Sequence, residues 1–449
     1  MPTIELGELA AGSRPGPVGS DRAAPRRSGR RRSVRPGLLA AVLVGVLGMV
    51  AAGSPFPRPW PEAAVPAWLG SIVHADRDWM FVVDPERPRG DGPELAGYRL
   101  PAAELGWRVT LSAGDIGSLQ VVGEHLLLAR YPEPLLDRVS RLTVLDVSAG
   151  VVAWEREASL MVVSSGGDLV LWAAAEDWRP GAENRPGTLE AVDPASGAVR
   201  WSLPVPAGAL PSFDVSAADP RAPVRASTVV LALPSGRVEV RDLGTGAVVR
   251  AVQMPPPGAG LRTNWRAAVA AGLFVVYEES AVTAYGLPGL DRRWSVPAQP
   301  GVERGPFACG ADLCSLRSQR GVRVWDAQTG RTRWSDERWT GIWTVGEALV
   351  AVEGAGAGET EALSVLDPAS GRVLADLGAW GLFTPHGSRF IGVRYGADRR
   401  AWVVEFDPAT WRSRLVTVLS GVSGDCGLTA TALHCRRLDA SIGVWRLPG

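Results

Sequence analysis

One phrase recurs along this chain, and its recurrence limits the fold more than any single motif. A strand of alternating residues ends in Asp, a four-residue turn with a small residue and Gly follows, and a second strand carries Trp. The phrase reads LTVLDVSAGVVAWERE (142–157), LEAVDPASGAVRWSLPV (189–205), VEVRDLGTGAVVRAVQM (238–254), VRVWDAQTGRTRWSDE (322–337) and LSVLDPASGRVLADLG (363–378). Weaker copies lie at 96–111, 282–297, 403–418 and 442–449. The Asp column falls at Arg99, Asp146, Asp193, Asp242, Gly286, Asp326, Asp367, Asp407 and Arg446, with successive spacings of 47, 47, 49, 44, 40, 41, 40 and 39 residues. A steady period near forty residues marks a repeat architecture.

Each residue type in the phrase has a physical task. An Asp carboxylate at the end of a strand accepts a backbone N–H two residues on and closes an Asx-turn. The Gly supplies the positive φ of a short hairpin loop. Asp146 with Gly150, Asp193 with Gly197, Asp242 with Gly246, Asp326 with Gly330, Asp367 with Gly371, and Asp407 are therefore the predicted turn residues. Between phrases lie two further apolar or alternating runs, such as 160–175, 265–280, 342–354 and 389–406, which gives four short strands per unit. No long helical period appears after residue 53, so the body reads as all-β. Four short antiparallel strands cannot bury both faces alone, but radial repetition packs each sheet on the next. Trp107, Trp154, Trp201, Trp294 and Trp334 are the large flat groups suited to wedging between neighbouring blades. Arg250 and Ala375 occupy that column in other units.

Composition removes several function classes. All 47 basic residues are Arg and none is Lys, which excludes Schiff-base enzymes, P-loop NTPases and protein kinases. The 47 acidic residues balance them, so the chain is not a basic nucleic-acid binder and no nucleic-acid partner is expected.

The opening segment reads as a targeting device. Residues 1–36 are polar and carry eight Arg against three acidic residues, which predicts a disordered cytoplasmic tail. Residues 37–53 form an uncharged apolar run of seventeen, the short end of what crosses a bilayer as a helix. Positive charge on its N-terminal side predicts a plasma-membrane signal anchor with the body outside the cytoplasm. A cleaved export signal is the alternative, since Val50-Ala51-Ala52 offers small residues at the right spacing. Residues 54–69 carry five Pro and read as a semi-rigid stalk. The propeller is then expected over 70–449.

The four cysteines agree with export. Cys309 and Cys314, and Cys426 and Cys435, each flank a short Gly-containing turn between apolar runs. A local hairpin disulfide is sterically easy in both places and needs an oxidising compartment. Reduced buried thiols and a zinc site are the alternatives, the second disfavoured because no His or further Cys lies at ligand spacing.

The phrase D-x-x-[ST]-G-x-x-x-W resembles the pyrroloquinoline-quinone-like (PQQ-like) repeat. Asp193, Ser196, Gly197 and Trp201 match it fully, as do Asp326, Thr329, Gly330 and Trp334. Asp146, Gly150 and Trp154 match with Ala149 at the hydroxyl place, and Asp367, Ser370 and Gly371 match without the Trp. The resemblance covers about residues 70–449, and membrane-anchored extracytoplasmic propellers of actinobacteria look most similar. It implies a β-propeller of four-stranded antiparallel blades, usually eight. Nine phrases are present, the last without its outer strand, so the count is open by one. Repeats of the WD type are the rival, since Val324-Trp325-Asp326 mimics their end motif, but the chain has no Gly-His dipeptide.

Enzymes of the resembled family carry adjacent cysteines over the quinone, a calcium site with carboxylates and a catalytic Asp. This chain has no Cys-Cys pair and no Cys-x-x-Cys-His for haem. His74, His125, His386 and His434 are scattered, with no Ser or Cys partner in sequence. The expectation is a non-enzyme with no cofactor, no metal and no catalytic residue, a binding or scaffold module for a protein, peptide or glycan. The alternatives are a PQQ-dependent oxidoreductase, or a hydrolase or lyase whose carboxylates converge at the funnel. The insertions 176–188 and 214–226 are the candidate binding loops.

Overall fold

The computed structural model describes residues 60, 62–84, 92–112, 115–131, 140–174, 186–215, 224–256, 266–278, 280–298, 306–316, 321–353 and 361–447. The chain divides into two units, Met1–Phe56 and Pro57–Gly449, and every described residue lies in the second. The predicted tail (1–36), the apolar run (37–53) and residues 54–59 and 61 of the predicted stalk therefore lie outside the described residues. Among the described residues no helix is long and apolar enough to cross a membrane.

The described strands form nine sheets, each built on four antiparallel strands. In chain order eight of these blades span 72–110, 115–157, 159–205, 210–253, 267–297, 307–336, 339–380 and 382–420. The ninth combines Val422–Leu428, Ala432–Arg437 and Ile442–Arg446 with Glu62–Val65 from the other end of the chain. Every repeated phrase but the last supplies the third and fourth strands of its blade.

The expected eight blades are corrected to nine. The ninth phrase does lack an outer strand, and residues 62–65 supply it in the register Glu62↔Trp445, Ala63↔Val444, Ala64↔Gly443 and Val65↔Ile442. Residues 62–65, which the sequence places in the stalk, are thus a strand of the closing blade. The physical reason is burial: Val65 is fully buried and packs with Met80, Val82, Ala432, Ile442 and Val444. Burying one such Val side chain stabilises by about 1.5–3 kcal/mol.

The core is distributed around the ring. Nine apolar clusters occur, one at each junction between successive blades. The cluster of Phe81, Val83, Leu95 and Trp107 with Leu119, Leu126, Leu128 and Leu145 joins blades 1 and 2, for example. Second and third strands are buried on both faces, as in Trp79–Asp84 and Arg141–Asp146, because a neighbouring blade covers each side. Fourth strands such as Val199–Val205 alternate and form the exposed rim. First strands of neighbouring blades approach one another, Ile72–Asp76 with Asp115–Val122 and Leu382–His386 with Val422–Leu428, which places them innermost.

Antiparallel alternation sorts the connections to two ends of the ring. First-to-second and third-to-fourth connections are tight hairpins at one end, except 214–227. The strand ends that flank the longer connections, 84 and 94, 131 and 141, 174 and 187, 253 and 267, 297 and 307, and 353 and 361, all point to the other end. We call these the hairpin end and the loop end.

Candidate functional site

The repeated Trp residues dock each blade onto the next. Trp107 Nε1 donates to the Val147 carbonyl (2.7 Å), Trp154 to Pro194 (2.9 Å), Trp201 to Leu243 (2.9 Å), Trp294 to Ala327 (2.8 Å) and Trp334 to Pro368 (2.8 Å). Each acceptor follows the turn Asp of the next blade. In blade 4 Arg250 Nε replaces the indole and donates to the Gly289 carbonyl at 3.3 Å.

The turn Gly has a second task that sequence alone does not show. A Cβ on Gly150, Gly197, Gly246, Gly330 or Gly371 would stand 2.3–2.9 Å from the indole of Trp107, Trp154, Trp201, Trp294 or Trp334 respectively. These glycines hold positive φ, 67° to 71°, and also let the ring lie flat on the backbone. At the Asp407 turn Trp411 takes the Gly place with φ 55°.

The turn carboxylates act as backbone acceptors. Asp146 Oδ1 accepts the amides of Ser148 and Ala149, both at 2.8 Å; Asp193 and Asp326 likewise accept two amides each, and Asp367 and Asp407 accept those of Ala369 and Ala409. Asp242 Oδ1 accepts the Thr245 amide and hydroxyl, each at 2.8 Å. The Ser148 hydroxyl holds the Asp146 carboxyl below its ordinary value, the Ser370 hydroxyl does so for Asp367, and the Ser196 amide for Asp193. Asp146, Asp193 and Asp367 are therefore anions committed to their loops.

Two arginines missed in the sequence reading complete the device. Arg200 bridges Asp168 and Asp193, both at 2.7 Å, and Arg333 bridges Asp312 (2.9 Å) and Asp326 (2.7 Å). Each lies one residue before a docking Trp and ties two hairpins of one blade at the hairpin end. The repeated Arg-Trp pair was the available signal. Arg130, almost fully buried, is a different case. It bonds Ser112, Thr143 Oγ1 (2.9 Å) and Glu155 Oε1 (2.7 Å), with desolvation pushing its pKa down and Glu155 opposing that.

Both cysteine pairs are disulfides, Cys309–Cys314 in blade 6 and Cys426–Cys435 in blade 9. The quinone donor set of the resembled enzymes does not fit these residues. No two cysteines are adjacent, and among the described residues no group of three His, Cys, Asp or Glu could hold a metal. His74, His125, His386 and His434 sit in blades 1, 2, 8 and 9 and are not brought together.

Of the candidate loops 176–188 and 214–226, residues 176–185 and 216–223 lie outside the described residues. The end of the second is described. Arg225–Ala226 pairs in parallel with Val163 and Ser164 on the inner edge of blade 3, where the Val163 amide donates to the Val224 carbonyl at 2.8 Å. Residues 224–226 thus cover a strand edge at the hairpin end.

An exposed apolar cluster stands at the loop end, beside the junction of blades 9 and 1. Trp68 is 62% exposed, Leu69 84%, Leu438 52% and Ile72 40%. Arg436 Nη1 donates to the carbonyls of both Trp68 (3.1 Å) and Ala440 (3.2 Å), so one guanidinium holds the 66–71 crossing beside the 438–441 turn.

A family model described as PQQ_2, outer membrane protein assembly factor BamB, matches residues 50–254. Among solved structures the chain is similar to BamB from Moraxella catarrhalis (16% identity, TM-score 0.43, 87% of this chain and 100% of that one). A quinohemoprotein alcohol dehydrogenase from Pseudomonas putida is 12% identical, with TM-score 0.39, over 63% of this chain and 62% of that one. A structure titled as a eukaryotic initiation factor is 12% identical, with TM-score 0.49, over 78% and 91%. No curated protein matches. The chain is a β-propeller of four-stranded antiparallel blades, and over residues 50–254 it is similar to the PQQ_2 family.

Proposed function

We propose that this protein is a non-catalytic, membrane-anchored, extracytoplasmic propeller that binds a protein partner on its loop end. The observation that carries the reading is the Trp68, Leu69, Ile72 and Leu438 cluster, large apolar side chains left in water in a molecule that buries apolar groups at every blade junction. Aromatic anchors of this kind dominate protein interfaces. The match to an assembly-factor model favours a protein over a glycan. The four cysteines, all paired, suit an oxidising compartment, and the Arg-rich start with its apolar run suits an anchor.

The test is crosslinking and capture from the protein's own envelope. The variant Trp68→Asp/Leu69→Asp/Leu438→Asp is compared with Val151→Asp, whose target is 62% exposed in a turn at the hairpin end. The first variant should lose the wild-type partner and the second keep it, with unchanged circular dichroism in both. Retention by the first variant contradicts the reading. So does bound PQQ with alcohol-dependent dye reduction after reconstitution with PQQ and Ca²⁺.

A further inference from the structure

The two disulfides are not equivalent. Cys309–Cys314 lies in a hairpin whose ladder is unbroken, Phe307↔Cys314, Ala308↔Leu313 and Cys309↔Asp312, and its residues are 2% and 0% exposed. Cys426–Cys435 lies where the ladder fails. The first and second strands of blade 9 pair at Val422↔Arg437 and Gly424↔Arg436, then not again until Gly427↔His434. Gly424, at the edge of the gap, and Asp425, within it, hold φ of 145° and 47°. The strands are joined there by the disulfide and by its flanking ion pair, Asp425 Oδ2 to Arg436 Nε at 2.8 Å. Cys435 is fully buried, but Cys426 is only half-buried on the innermost strand.

Arg436 follows Cys435 directly, and its remaining N–H groups reach out of the blade. Nη2 donates to the Ser71 carbonyl at 2.7 Å, and Nη1 to those of Trp68 and Ala440. These acceptors belong to the crossing from closing strand Glu62–Val65 into blade 1, and to the turn that carries Leu438. The disulfide therefore neighbours a side chain that links the crossing to the turn, alongside Ser71, whose hydroxyl accepts the Trp68 amide (2.8 Å) and donates to Asp84 (2.6 Å).

We propose that Cys426–Cys435 is a reducible latch, opened by a dithiol while Cys309–Cys314 stays closed, and that opening loosens the closing strand and takes the apolar cluster apart. A reductant thiolate attacks Sγ of Cys426, the less buried of the two cysteines. The new S–S bond forms as the Cys426–Cys435 bond breaks, and Cys435 leaves as a thiolate that takes up a proton. The second reductant thiol then displaces Cys426, so the dithiol is oxidised and two protein thiols are formed. As regulation of the loop-end site the proposal rests on the binding reading, but its measurement needs no partner.

The full chain is treated under native conditions with graded dithiothreitol, alkylated and analysed by mass spectrometry. Hydrogen exchange is followed in the same samples. Cys426 and Cys435 should be labelled at a reductant concentration about ten-fold or more below that needed for Cys309 and Cys314. Exchange over residues 62–65 and 68–71 should rise in step. Simultaneous reduction of both pairs overturns the proposal, as does reduction of Cys426–Cys435 without faster exchange in those segments. A Cys426→Ser/Cys435→Ser protein that folds should show the faster exchange without reductant, and Cys309→Ser/Cys314→Ser should not. Loss of the captured partner on reduction would extend the result to binding; failure of capture alone leaves the labelling and exchange outcomes to decide the latch.

Discussion

At the residue scale the docking pair of a Trp and the next blade's Gly carries the most specific prediction. Trp294 is 7% exposed and rests on Gly330, where a Cβ would stand 2.5 Å from the ring. Trp294→Ala should destabilise by about 3–5 kcal/mol, whereas Trp294→Phe keeps most packing and should cost about 1 kcal/mol for the lost hydrogen bond. Gly330→Ala adds a ring clash to the positive-φ cost. Gly346→Ala, at φ 58° with nothing within 4 Å of the added carbon, should show only the roughly 1–2 kcal/mol of left-handed strain. Chemical denaturation of the set measures this, and equal effects of the two Gly variants would contradict the packing role.

The turn carboxylates give a pH dependence with a defined sign. Asp146, Asp193 and Asp367 hold folded pKa values below the unfolded one, through the Ser148 hydroxyl, the Ser196 amide and the Ser370 hydroxyl first. Their stabilisation is present above the unfolded value and is lost as pH falls through the folded value. Melting temperature should therefore decline on acidification below about pH 4. The triple variant Asp146→Asn/Asp193→Asn/Asp367→Asn should melt lower at pH 7 and show a shallower acid limb. An unchanged acid limb would place the acid sensitivity elsewhere.

At the element scale the closing strand is the sensitive one. Glu62–Val65 has four residues and pairs on one side only, yet Val65 is fully buried. Val65→Asp would bury an unpaired charge among Met80, Ile442 and Val444. It should lower the melting temperature and speed exchange in both blade 9 and blade 1, and exchange confined to residues 62–65 would argue against a strand shared across the closure. Much of this level was legible in sequence. The Asp-to-Gly spacing located the hairpins, and alternation located the strands around them. Residues 62–65 were not legible because Pro-rich flanks hide a four-residue strand whose partner lies more than 370 positions away. The Trp68 to Leu438 cluster was hidden for the same reason, since its parts meet only across the ring closure.

At the scale of the whole molecule, blade number follows from how the outer rim is completed. Nine phrases make eight full fourth strands and one vacancy, and the chain's other end fills it. Local period predicts the blade, but only long-range pairing sets closure, so the usual family number misled the count by one. The distribution of chemistry also appears only here. Hairpin-end carboxylates are committed to turns and arginine bridges, while Trp68, Leu69, Ile72 and Leu438 stand exposed at the loop end beside the seam. A crystal structure of the protein tests this account most directly. The account predicts nine sheets around one axis, with residues 62–65 as the outer strand of the last. Eight sheets, or a ninth blade closed without residues 62–65, would contradict it.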